Sequence, residues 1–188
     1  MTGVQTCALP ISYYSIKALE SNKTQDNAAS KLICIEPYPR EKFQSFADQG
    51  KIHYYHNQVQ DIEISKFLEL EKGDILFIDS SHVLKADSDV TYLYLEVLPR
   101  LKEGVFIHIH DICYPYYKLQ PENHLFDSSI LWNETEVLTA LLTNNQTFDI
   151  LFSLSYLHLK RPDILEKVSK LYQRNIHHPS SIWLKKIK

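Results

Sequence analysis

Glycine is the conspicuous shortage in this 188-residue chain, with only four in all. They act as punctuation: Gly50, Gly73 and Gly104 each close a patterned segment, which leaves almost none for a glycine-rich loop. Cysteine is nearly as rare. Cys7, Cys34 and Cys113 show no paired spacing and no CxxC, so they outline neither a disulfide framework nor a zinc site and fit a reducing, cytoplasmic setting. Charge of one sign is missing too. A formal net charge of −3 gives no electrostatic reason to expect a nucleic acid or an anionic membrane as partner. No apolar run approaches the roughly 18 to 20 residues that cross a bilayer. What remains, 44% hydrophobic and 23% charged residues, is the composition of one ordinary globular domain.

The first eleven residues, Met1 to Ile11, have neither helical nor strand periodicity. MTGVQTCALPI is what a sequencing-library adapter gives when translated from a GTG start, and such scars are set aside in reasoning about a fold. The native domain is therefore expected over 12–188, with its own N-terminus and any targeting signal unknown. The first eleven residues are expected to pack poorly.

From Ser12 onward, short β-rich runs alternate with amphipathic helical patterns, which argues for a parallel sheet covered by helices. Tyr13 to Asn22 reads as the rest of a first helix. Lys31-Leu-Ile-Cys-Ile-Glu36 reads as a buried strand ending on an acid, and Pro39 opens a helix with Phe43, Phe46 and Ala47 on its apolar face. Lys51 to His56 reads as an interior strand, followed by a short helix marked by Ile64, Phe67 and Leu68. Asp74-Ile-Leu-Phe-Ile-Asp79 runs from acid to acid. Val90, Leu93, Tyr94, Val97, Leu98 and Leu101 keep the spacing of one helical face. Val105-Phe-Ile-His-Ile-His110 is the next strand, with Asp111 after it. Tyr114 to Trp132 has no period and reads as an inserted loop, whose Tyr114, Tyr116, Tyr117 and Trp132 fit either an aromatic lid or ordinary packing. Asn133 with Glu136 matches a capping box, and Trp132 with Val137 a hydrophobic staple. Phe148 to Ser153, a helix near Asp163 to Gln173 and Ser181 to Lys186 complete the pattern.

Three acids, Glu36, Asp79 and Asp111, stand at the C-terminal ends of predicted strands. Open α/β sheets bind ligands at that edge, and a carboxylate there accepts hydrogen bonds from both ribose hydroxyls of a nucleotide-like cofactor. Each acid alone also fits a turn or a helix cap. Three in register with successive strands point to a site.

The segments Ile33 to Arg40, Gly73 to His82, and Leu98 to Gly104 through His110-Asp111-Ile112 resemble class I S-adenosylmethionine-dependent methyltransferases. The nearest branch is the catechol O-methyltransferase-like and cephalosporin-hydroxylase-like one. The resemblance covers roughly Ser12 to Lys186 and implies a Rossmann-like α/β sheet, mostly parallel, with Ser181 to Lys186 as an antiparallel C-terminal strand. Ser12-Tyr-Tyr-Ser15 resembles the tail of the family's GxGxS loop. The glycines before it are absent, so the first strand and the glycine loop are expected to be missing. By the same resemblance Glu36 holds the cofactor ribose, Gln60 and Asp61 frame the adenine, and Asp79 joins the cofactor and catalytic sites. Asp79, His110 and Asp111 match divalent-metal ligands for magnesium, manganese or iron. His82 falls three residues after Asp79, where catechol-type enzymes place a lysine base.

The residues themselves leave alternatives open. An imidazole at position 82 titrates near neutrality and suits a general base, or it is a turn histidine bonded to the backbone. His110 and Asp111, where the catechol-type enzymes carry Asp-Asn, are either ligands or a core histidine and a turn acid. The implied activity is methyl transfer to an oxygen or nitrogen of a small molecule, metal-assisted or not, with the fragment itself inactive. A non-catalytic binding or scaffold module on the same fold is the alternative. A nicotinamide-dependent oxidoreductase is a weaker one, opposed by the Asp79 to His82 motif and the short last strand.

Overall fold

A computed structural model describes residues 2–6, 9–26, 30–38, 41–116 and 132–188. Seven strands form one sheet in the order β3-β2-β1-β4-β5-β7-β6. They are β1 Thr2–Thr6, β2 Lys31–Ile35, β3 His53–Tyr55, β4 Ile75–Ile78, β5 Phe106–His110, β6 Phe148–Ser153 and β7 Ser181–Lys186. The first five pair in parallel. β7 runs antiparallel to both β5 and β6, as expected for Ser181 to Lys186. β3 is the outer strand rather than an interior one, and His53 on it is exposed.

The helices are α1 Leu9–Asp26, α2 Glu41–Asp48, α3 Ser65–Leu68, α4 Asp89–Tyr92, α5 Leu98–Arg100, α6 Glu134–Leu142, α7 Leu154–Lys160 and α8 Pro162–Val168. A π-helical turn, Leu93–Val97, joins α4 to α5. Pro99 follows it and has no N–H for the preceding turn, a usual place for a helix to change register. The predicted stripe is fully realised: Val90, Leu93, Tyr94, Val97, Leu98 and Leu101 are all buried.

Strands covered on both faces read as continuous apolar runs, and β2 shows why. Ile33 and Ile35 enter the larger core with Leu76, Ile78, Ile107, Ile109 and Leu138. Leu32 and Cys34 point the other way, onto Ile16 of α1 and Phe43 of α2. Gly104 has φ +89°, and a Cβ there would stand 2.5 Å from Lys72 Cγ. The turn into β5 therefore needs glycine.

Two N-terminal expectations, a missing first strand and poor packing of the first residues, are corrected. Thr2–Thr6 fills the place of the strand expected to be missing: it lies between β2 and β4, in register with Lys31–Ile35 on one side, and Val4 is 1% exposed. The physical reason is the ladder. Without β1, β2 and β4 would face each other across an empty lane of unpaired N–H and C=O groups, and backbone pairing is largely indifferent to side-chain origin. Ser12 to Ser15 lie within α1 rather than in a loop, with Ser12 buried. The link of Cys7 and Ala8 between β1 and α1 lies outside the described residues, as do Pro39 and most of the insertion, 117–131.

Candidate active site

The sheet carries its candidate residues where β2, β3, β4 and β5 end. Glu36 directly follows β2, and one of its carboxylate oxygens accepts the Tyr38 N–H at 2.8 Å. Gln60 and Asp61 belong to a 3-10 turn, Val59–Asp61, past β3. The Gln60 amide donates to Gln58 Oε1 at 2.7 Å and to the Asp87 carbonyl at 3.3 Å. These three line the loops of the β2–β3 side, apart from the cluster at β4 and β5.

That cluster is compact. Asp79 leaves β4, Asp111 leaves β5, and His82 sits on the loop between β4 and α4. His82 Nε2 is 3.8 Å from Asp79 Oδ1 and 3.9 Å from Asp111 Oδ2. One ligand-capable atom from each of the three lies within 4.8 Å of the others. His82 and Asp111 hold left-handed backbones, φ 61° and 51°, which cost non-glycine residues free energy and recur at functional sites. The loop is pinned by Asp89, whose carboxylate accepts the Ser81 N–H and hydroxyl, both at 2.6 Å, and by Ser88, which caps α4 through the Thr91 N–H.

Of the residues expected to hold a metal, Asp79 and Asp111 come together, and His82 joins them in this group. His110 is adjacent, its Nδ1 3.3 Å from Asp111 Oδ1 and 3.9 Å from Asp79 Oδ1. It extends from β5 on the same face as His108, two residues earlier, and both border a cavity of about 510 Å³. Phe77, Ser180 and Trp183 share that lining, on the face that α1 covers only in part.

Charges couple across the cluster. Burial pushes the Asp79 pKa up, partly offset by His110 and His82. Burial opposes protonation of His82, but Glu134, with Asp111 and Asp79, outweighs it and raises the imidazole's pKa. The Asp111 carboxylate raises His110 against the same burial effect. Asp111 is held low: burial works upward, and His110, a 2.9 Å hydrogen bond from Ser180 Oγ and His82 prevail.

One functional candidate escaped the sequence reading. Glu134, 2% exposed at the start of α6, lies 2.7 Å from His82 Nδ1 and accepts the Ser80 hydroxyl at 2.7 Å. The expected capping box is not formed. Asn133 makes no side-chain cap; its Oδ1 accepts the Leu84 N–H at 2.6 Å instead. Trp132 packs its ring on His82, centroids 4.2 Å apart, and Tyr114 joins the core. Tyr117 is outside the described residues. An acid at the first position of a helix is the only sequence signal Glu134 offered, and helix starts carry acids for ordinary dipole reasons.

Residues 12–112 match a family model described as a methyltransferase domain. No curated protein matches the sequence. Among solved structures, OxaC in complex with sinefungin and meleagrin is similar, with 14% identity and a TM-score of 0.54 over 100% of this chain and 43% of that one. The plantazolicin methyltransferase BamL, in complex with a triazolic desmethylPZN analog and SAH, shares 15% identity at a TM-score of 0.50, over 100% of this chain and 77% of BamL. At such identities the likeness is one of fold. The chain spans under half the length of OxaC.

Proposed function

The chain belongs to the methyltransferase-domain family, and from this we propose that it transfers the methyl group of S-adenosylmethionine to an oxygen or nitrogen of a small molecule. The observation that carries the reading is the Asp79–His82–Asp111 cluster, which shares with Glu36 the edge of the sheet where the parallel strands end. The donor set suits the cofactor's nucleoside half: Glu36 ends β2 next to β1, where a carboxylate meets ribose hydroxyls, and Gln60 and Asp61 stand nearer the adenine side. It suits the methionine half poorly, since the sequence between β1 and α1 has no glycine whose turn would bring backbone N–H groups close.

When bound, the sulfonium supplies an activated methyl group. The chain's residues do the rest. They align the acceptor for an in-line approach, and His82 Nε2 takes the acceptor's proton as the new bond forms. Asp79 and Asp111 stabilise the resulting imidazolium. A second reading rests on the same three atoms: two carboxylate oxygens and an imidazole nitrogen suit a divalent cation, and the Glu134 carboxylate behind His82 is the outer partner such a ligand commonly has. Asp79, His82 and Asp111 would hold the ion, which would acidify and orient the acceptor.

Titration calorimetry with S-adenosylmethionine, with Mn²⁺ or with chelator, tests both. The chain as it stands is expected to bind weakly. A C7G/A8G variant, which puts glycine in the link between β1 and α1, is expected to bind more tightly. Glu36→Ala should remove at least about tenfold of that affinity, the equivalent of one charge-assisted hydrogen bond. Asp79→Ala should leave cofactor affinity intact but abolish any Mn²⁺ dependence. No cofactor binding by any form would replace the enzyme by the scaffold reading.

A further inference from the structure

We infer that Glu134 is a positioning residue: its buried carboxylate fixes the His82 ring with the proton on Nδ1, so that a bare Nε2 faces the opening between Asp79 and Asp111. The inference rests on reading that opening as the place where an acceptor proton or a cation is met, and it holds for either.

Chemistry dictates the tautomer. An ionised carboxylate can only accept, so the 2.7 Å contact between Glu134 Oε2 and His82 Nδ1 requires Nδ1–H. A neutral imidazole has one N–H, which leaves the lone pair on Nε2. Free imidazole side chains in water favour the opposite arrangement, so the carboxylate has to impose this one. The contact is sealed from solvent, with Glu134 2% and His82 7% exposed, and a charge-assisted bond gains strength where water cannot compete.

Three consecutive residues grip the same loop at different levels. The Trp132 ring lies against the imidazole face. The Asn133 N–H donates to the His82 carbonyl at 3.0 Å, and its side chain holds the Leu84 N–H. Glu134 takes the ring nitrogen and, through the same oxygen, the Ser80 hydroxyl. His82 is thereby kept in its left-handed backbone conformation with its ring orientation set.

Helix capping alone does not account for this arrangement. A carboxylate enclosed to this degree is costly unless paired, and a surface acid would serve the helix N-terminus as well. The other oxygen, Oε1, is enclosed without a hydrogen-bond partner among the described residues, as is the hydroxyl of Tyr94. Tyr94 resists ionisation first through burial and then through the Glu134 charge.

The test needs neither acceptor nor turnover, so its outcome is separable from that of the methyl-transfer reading. The full chain, labelled with ¹⁵N-histidine and kept in chelator, is observed by long-range ¹H–¹⁵N correlation, with His82 assigned by its loss in His82→Gln. At a pH where the ring is neutral, the wild type should carry its proton on Nδ1. Glu134→Gln keeps the shape and removes the charge. It should erase that preference and speed exchange of the ring proton on the order of tenfold, the loss of a charge-assisted bond. If Glu134→Gln does not fold, Glu134→Asp, which shortens the reach, should show the same loss. A wild-type ring protonated on Nε2 overturns the proposal. So does a folded variant whose tautomer is unchanged while its melting temperature falls, since Glu134 would then be a structural anchor only.

Discussion

His108 has no role in the chemistry proposed above, and its burial ties stability to acid. Its ring stacks on Trp183 at 4.5 Å and meets the edge of Phe77 at 4.8 Å. Burial, with His110 adding to it, lowers its pKa from 6.5 to about 4. The unfolded chain binds this proton more readily than the folded one. The contribution to stability is therefore complete above about pH 6.5 and is lost as pH falls toward 4. That loss amounts to about 3 kcal/mol. His82 and His110, both raised, act in the opposite sense: their contributions are present below 6.5 and fade as pH rises through their folded values. His108→Phe keeps the stack and removes the proton. Chemical denaturation at about pH 7 and about pH 5 should show the wild type losing more stability than the variant over that interval, and equal losses would remove burial as the cause. At this scale the sequence made Asp79, His82 and Asp111 legible because each sits beside a recognisable strand end. That His82 and His110 both reach these two acids required knowing which way β5 and the loop after β4 turn their side chains. Glu134 was out of reach, because the contact with His82 spans 52 residues and part of the intervening chain has no period to read.

Among the elements, β1 is the instructive case. Most strands and helices from β2 onward were readable from alternation, stripe and glycine stops, with bounds that differ mostly at the ends, where assignments fray. The short helix α7, Leu154–Lys160, was not read, and neither was the strand made of residues set aside for their apparent origin. Sheet pairing asks little of a side chain, and a lane between two parallel neighbours accepts a short segment with valine at its centre. Val4 meets the larger core at 1% exposure, and β1 pairs with five residues of β2 and three of β4. Removing Met1–Ile11 should therefore cost the cooperative thermal transition rather than trim a loose tail, because β2 and β4 lose their shared partner. Circular dichroism of the shortened chain checks this, and an unchanged melting curve would show that the segment holds nothing. The failed capping box is the other element-scale lesson. Asn133 has the right residue type and spacing, but its side chain is spent on Leu84, a use that only the loop's arrival can create.

The molecule as a whole has one strand that runs against the others, and it lies inside the sheet. β7 separates β5 from β6, while α6, β6, α7 and α8 are all made between β5 and β7. On the ribosome, β5 consequently emerges long before its second neighbour. In that interval its outer ladder is bare, with Ile107 and Ile109 on one side and Phe106 and His108 on the other. Exposed strand edges of this composition are templates for association between chains. β7, which pairs with β6 across the excursion through α7 and α8, has to dock on β5 before the edge is closed. A chain ended after Leu142 should pellet on centrifugation or stay bound to a holdase chaperone, while the 188-residue chain stays in the supernatant. Equal solubility of the two would mean that the β5 edge is harmless. Seating β7 in the interior thus leaves the β5 edge uncovered until synthesis reaches residue 181, and a pause in translation over that stretch would lengthen the exposure.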